Sequence, residues 1–230
     1  MMTRRLAFMP AAALLGCGEP PRPTGIVVEE PSASLVSCTE VIGSSQTAQW
    51  FTGTLEGADE RERATWQLRS ETNATLTDWS DPEFEGWARL ASPPCGRGSA
   101  APGRVILVIG GPFGTDTAAW QREIRRALPS IRERYPAGTV FSLQPEVGGP
   151  RHARCQVSGG WVVSSISHPA VDYVIGDVTA SGFSAGASPE VAGCNEFLDT
   201  RGRLVSSAAV SIGRSVLGFY GDAAADPLAR

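Results

Sequence analysis

Val105-Ile106-Leu107-Val108-Ile109 runs without a polar interruption and ends at Gly110-Gly111-Pro112. A strand with one wet face alternates apolar and polar residues, whereas a strand covered on both faces does not. The run therefore predicts a central strand of a parallel sheet. After it, Trp120, Ile124, Leu128, Ile131 and Tyr135 recur at helical spacing, with Arg122, Arg125, Arg126 and Arg132 on the other faces as a solvated surface. Pro129 lies inside this helix and is expected to kink or split it. Thr139–Leu143 predicts the next strand and Ser165–Ile175 a further helix. Val205, Ala209, Ile212, Val216 and Phe219 predict a closing helix. Upstream, Cys38–Ile42 predicts a first strand and Ala64–Trp79 one or two more. Strands alternating with helices give an α/β fold: a doubly wound, mostly parallel five-stranded sheet of flavodoxin-like type. Ligands of such sheets bind beyond the carboxyl ends of the strands, where the strand order reverses. The loops to search are Gly43–Thr47, Gly110–Asp116, Gln144–Cys155 and Gly193–Arg203.

Several function classes are closed by what is absent. All 20 basic residues are arginine, so a lysine-containing phosphate loop and lysine Schiff-base chemistry are excluded. A net charge of −4 gives no electrostatic basis for a nucleic-acid partner. Only two histidines, His152 and His168, supply neutral-pH bases. A metal site would have to draw most of its ligands from carboxylates or cysteines, and neither a metal nor a cofactor is expected.

The amino terminus carries Arg4 and Arg5, an apolar stretch from Leu6 to Leu15 too short to span a bilayer, and then Leu14-Leu15-Gly16-Cys17. This run resembles the lipobox of bacterial lipoproteins, which implies a signal peptide over residues 1–16 and lipidation of Cys17. The expected location is the cell envelope, at the outer membrane, with the domain in the periplasm or at the cell surface. Residues 17–34 are expected to form a proline-rich tether, 35–221 the domain and 222–230 a flexible tail. Export places the chain where disulfides persist. Cys38, Cys95, Cys155 and Cys194 then allow three pairings, of which Cys38–Cys95 and Cys155–Cys194 join segments expected at neighbouring strand ends.

Two serine motifs compete. Gly182-Phe183-Ser184-Ala185-Gly186 matches the Gly-x-Ser-x-Gly nucleophile elbow. No histidine follows residue 168, so the required order of serine, acid and histidine fails, and a small-residue turn is expected there. Gly43-Ser44-Ser45-Gln46-Thr47 follows the first strand and opens a helix. It resembles the first block of the SGNH (GDSL-type) hydrolases, Gly-Asp-Ser-x-Thr, with Ser45 at the nucleophile. Asp199-Thr200-Arg201-Gly202-Arg203 before the last helix resembles that family's closing aspartate–histidine block. Gln144–His152 and Ser167-His168-Pro169 resemble segments of extracellular SGNH-type proteins.

The resemblance implies ester or acetyl-ester hydrolysis. Ser45 would be the nucleophile, Asp199 the orienting carboxylate, and the Ser45 and Gly110 N–H groups the oxyanion donors. Two departures stand against activity. Arg203 occupies the histidine position and stays protonated, so it cannot accept the Ser45 proton. Gly110-Gly111-Pro112-Phe113 lacks the asparagine of the Gly-x-Asn-Asp block. His152 or His168 would have to substitute as base or line the pocket. The alternative is a pseudoenzyme: the same fold kept as a surface glycan- or ligand-binding module. The expected partners are a small ester or glycan and, through Cys17, the membrane.

Overall fold

A computed structural model of the chain describes residues 38–92, 94–95, 101–178 and 182–225. The fold is the expected doubly wound α/β sheet. Its parallel strands are β1 (Thr39–Gly43), β2 (Trp66–Ser70), β3 (Arg104–Ile109), β4 (Val140–Pro145) and β7 (Ser184–Ala185), in the order β2-β1-β3-β4-β7. A separate two-stranded ribbon pairs β5 (Gln156–Val157) with β6 (Gly160–Trp161).

The apolar run of β3 divides between two cores. Val105, Leu107 and Ile109 join one and Ile106 and Val108 the other, which is why the run needs no polar residue. The first core is covered by α3 (Leu76–Ser80), α4 (Thr117–Arg132) and α5 (Val163–Val178). The second is covered by α1 (Ser45–Gly57) and α6 (Ser206–Ala225). Between α1 and α2 (Glu60–Arg63) the chain turns at Ala58. Helices α1 and α6 approach backbone to backbone: a Cβ on Gly213 would lie 1.9 Å from Thr54 Oγ1, and one on Gly53 would lie 2.8 Å from the Val210 nitrogen.

Three local expectations are corrected. Ala64–Trp79 yields one strand, β2, and then α3, because Thr75 caps that helix and Asp78 hydrogen-bonds back to the Thr75 N–H at 2.7 Å. Helix α4 runs through Pro129 to Arg132. The proline is exposed and the helix ends three residues later, so the missing N–H is lost near its end. Within 182–186, where a turn is expected, Gly182 bends at φ 85° but Ser184–Ala185 form an edge strand. Ser184 Oγ donates to the Phe141 carbonyl at 3.1 Å, and a Cβ on Gly186 would lie 2.2 Å from the Tyr220 hydroxyl. Gly186 is there for packing and Gly182 for its backbone conformation.

Two disulfides close the domain, Cys38–Cys95 and Cys155–Cys194, the favoured pairing, although Cys95 and Cys194 lie in a loop and a 3-10 turn rather than at strand ends. Cys17, the signal segment and the tether lie outside the described residues, as does the tail beyond 225.

Candidate functional site

From β1 the chain crosses to β2 on one side and then to β3 on the other, so a crevice opens at the carboxyl ends of β1 and β3. It is a cleft of about 260 Å³ lined by Ser44, Ser45, Asn73, Gly110, Glu146 and Arg201 among others. The serine motif reaches it because β1 ends at Gly43 and α1 begins at Ser45. Thr47 steadies this junction by accepting the Ser44 N–H at 3.2 Å, and only glycine at 43 leaves room for it, since a Cβ there would lie 2.2 Å from Thr47 Oγ1.

Ser44 and Ser45 have different surroundings. The buried Ser44 hydroxyl donates to Glu146 Oε1 at 2.6 Å. Glu146 lies flat against Gly110, whose Cβ would sit 2.5 Å from the carboxyl carbon. Burial raises the Glu146 carboxyl above the ordinary carboxylate range, and the Ser44 hydrogen bond opposes that shift. Ser45 is the half-buried first residue of α1 and faces the cleft. Its carbonyl accepts from Gln49 Nε2 at 3.4 Å, but among the described residues no side chain hydrogen-bonds to its hydroxyl.

Gln46, the next residue, ties the cleft together. Its Nε2 donates to Ser164 Oγ at 3.1 Å and to the Gly202 carbonyl at 2.9 Å, while its Oε1 accepts from the Val147 N–H at 2.7 Å. One buried amide thus joins α1 to α5, to the loop after β4 and to the loop before α6.

Asp199 and Arg203 pair with each other. Arg203 Nε donates to Asp199 Oδ2 at 2.7 Å, with the arginine side chain 61% exposed. Partial burial works to raise the Asp199 carboxyl, but hydrogen bonds from the Arg203 side chain and backbone and from the Arg201 N–H outweigh it and leave it lowered. Arg201, not Arg203, lines the cleft.

The two histidines meet at a second cluster on the same side of the sheet. Pro150–His152 forms a single turn in which Arg151 and His152 take positive φ values of 53° and 60°. His152 Nδ1 lies 3.4 Å from His168 Nδ1 and 3.1 Å from Glu190 Oε1. The Glu190 carboxylate also accepts the Arg151 N–H at 2.7 Å and the His152 N–H at 2.8 Å. Nε2 of the buried His168 is 3.3 Å from Ser188 Oγ. Burial lowers the His168 imidazole; Asp172 and Glu190 oppose the shift and His152 adds to it. Ser164 lines the cleft one turn before His168 on α5, so the two clusters are neighbours.

Neither a family model nor a curated protein matches this sequence. The site therefore rests on its own geometry. That geometry brings Ser45 and Gly110 into one cleft, keeps Asp199 with Arg203, and gathers His152 with His168. Sequence reading missed Gln46, Asn73, Glu190, Arg201 and the role of Glu146. Gln46 stands inside the quoted motif, yet an amide at the third position carries no signal of its buried partners. Asn73 sits at φ 57°, a conformation asparagine tolerates, but its turn gave no stronger mark in the sequence.

Proposed function

We propose that this chain is an exported, lipid-anchored protein with an SGNH-hydrolase-like domain. Its cleft at the ends of β1 and β3 holds a small hydroxylated ligand, a sugar or sugar ester of a surface glycan, without hydrolysing it through Ser45. The observation that carries this reading is where the bases stand: both imidazoles engage each other, Glu190 and Ser188, and Asp199 engages Arg203. A general base contributes about 10²–10⁴-fold to such reactions, and among the described residues none is in hydrogen-bond contact with the Ser45 hydroxyl. The parallel strand order and the position of Ser45 at the β1–α1 junction support descent from the hydrolase fold. Two disulfides support an oxidising compartment.

The cleft suits a polyol. Ser45 offers a free hydroxyl, Asn73 an amide, Arg201 a guanidinium and Gly110–Gly111 close backbone approach. A glycan array probed with the full chain tests the reading. Binding is expected to persist in Ser45→Ala and to disappear in Ser45→Trp, which fills the cleft. Absence of binding to any glycan overturns the ligand class. Hydrolysis of a simple acetyl ester that vanishes in Ser45→Ala overturns the non-catalytic reading.

A further inference from the structure

The chain contains only two histidines, separated by 15 residues, and the fold sets their rings side by side next to a carboxylate. The donor atoms of His152, His168 and Glu190 all lie within 4.8 Å of one another. We propose that these three residues form a binding site for one divalent transition-metal ion of the zinc class, with water completing its coordination.

The distances suit a single ion. Imidazole and carboxylate ligands bind zinc at about 2.0–2.2 Å, so neighbouring corners of a tetrahedron lie about 3.3–3.6 Å apart. His152 Nδ1 is 3.4 Å from His168 Nδ1 and 3.1 Å from Glu190 Oε1. A proton on His152 Nδ1 can serve only one of these two neighbours at a time. A cation serves both, and it also draws on the His168 lone pair.

The supporting groups are arranged as metal sites require. With its proton on Nε2, His168 donates to the Ser188 hydroxyl 3.3 Å away, and in that tautomer Nδ1, 3.4 Å from His152 Nδ1, is the unprotonated ligand atom. Glu190 is held by two backbone N–H groups, those of Arg151 and His152. Gly148 presses on the buried His168 ring, since a Cβ there would lie 2.4 Å from its Cγ. One ligand comes from the loop after β4, one from α5 and one from the loop after β7, so the ion would fasten three separate segments. His152 is half exposed, which leaves a path for entry and a position for water. This site does not depend on what the cleft binds.

The test uses the full chain without a histidine tag, stripped by chelator and titrated with Zn²⁺ by calorimetry and with Co²⁺ by visible absorption. The expected result is one ion per chain, tetrahedral Co²⁺ bands, and a rise in Tm with Zn²⁺. His152→Ala and Glu190→Gln are each expected to weaken Zn²⁺ binding at least tenfold, and Ser188→Ala about tenfold through its hold on His168. His152 stands on an exposed turn, so its variant separates loss of a ligand from loss of fold, which far-UV circular dichroism checks. No saturable one-to-one binding at roughly 100 μM Zn²⁺ overturns the proposal. Binding left unchanged by both His152→Ala and Glu190→Gln overturns it as well.

Discussion

The serine cleft and the histidine cluster lie one helical turn apart on α5 and differ in what their polar groups engage. The serine pair of the cleft comes from one short motif, with β1 stopping at Gly43 and α1 starting at Ser45, and Asn73, Gly110, Glu146 and Arg201 join it from other segments. The cluster is assembled from three distant segments, with His152, His168 and Glu190 each on a different one. Catalysis by serine needs the two kinds of chemistry in one place. Here the nucleophile-type hydroxyl stands on one side of the α5 turn while the imidazoles engage each other on the other. Among the described residues no imidazole hydrogen-bonds to the Ser45 hydroxyl, and the hydroxyl that does meet an imidazole is that of Ser188, 3.3 Å from His168 Nε2.

The largest expected effect separates the two regions by their covalent support. Cys155 follows the His152 turn, and its disulfide to Cys194 closes a span of 39 residues. Replacing both with serine should cost about 4 kcal/mol in urea unfolding and shift the NMR signals of both imidazoles. Removing Cys38–Cys95 should cost a similar amount, about 4 kcal/mol, and leave those signals in place. Equal imidazole shifts in both variants would break the distinction.

Next in size is Gln46→Ala. It leaves the Val147 N–H and the Gly202 carbonyl without their buried partner, so a loss of about 3 kcal/mol is expected in denaturant unfolding. Ser45→Ala, which removes no side-chain hydrogen bond, should stay within about 0.5 kcal/mol. The motif's structural weight then falls on its amide rather than on the residue that gives the motif its name.

A smaller effect follows from Glu146. Burial raises its carboxyl in the folded chain, so the folded state binds the proton more tightly than the unfolded state does. Its contribution to stability is full below the unfolded value of about 4.3 and is lost as pH rises through the folded value. Glu146→Gln keeps an acceptor for Ser44 and removes the ionisation. Its Tm relative to wild type should therefore climb from pH 4 to pH 7; a flat difference would contradict the buried setting. The smallest effect belongs to Arg203→Ala, whose exposed pair with Asp199 should contribute less than about 1 kcal/mol in thermal unfolding.

The same contrast explains what could be read from residues alone. The unbroken run of β3 and the heptad-like spacing of α4 are long and periodic, so sheet type and strand succession were legible. Of the cysteines, Cys38 and Cys155 directly precede β1 and β5, as strand-end placement expects, whereas Cys95 lies in the loop before β3 and Cys194 opens a single 3-10 turn. Strand β7 escaped because two residues are too short for any period, and α3 escaped because its capping pair, Thr75 and Asp78, fixes a helix of only five residues. In the site, Ser45 and Gly110 were legible from their place after β1 and β3. Glu190 was not: it sits in an aperiodic loop, and only the left-handed turn at Arg151 and His152 brings the backbone to it. Arg203 at the expected histidine position was visible in the sequence, but its solvent-facing bond to Asp199 depends on how the loop turns at Gly202, which has φ 78°.

Ser45 labelling tests the central claim most directly. A serine-directed fluorophosphonate, applied in excess to the full chain at neutral pH and read by intact-protein and peptide mass spectrometry, reports whether the hydroxyl is activated. A serine with no base in contact should carry no adduct, and wild type and Ser45→Ala should give the same spectrum. A stoichiometric adduct on Ser45, absent from Ser45→Ala, would contradict the account and make Ser45 an activated nucleophile.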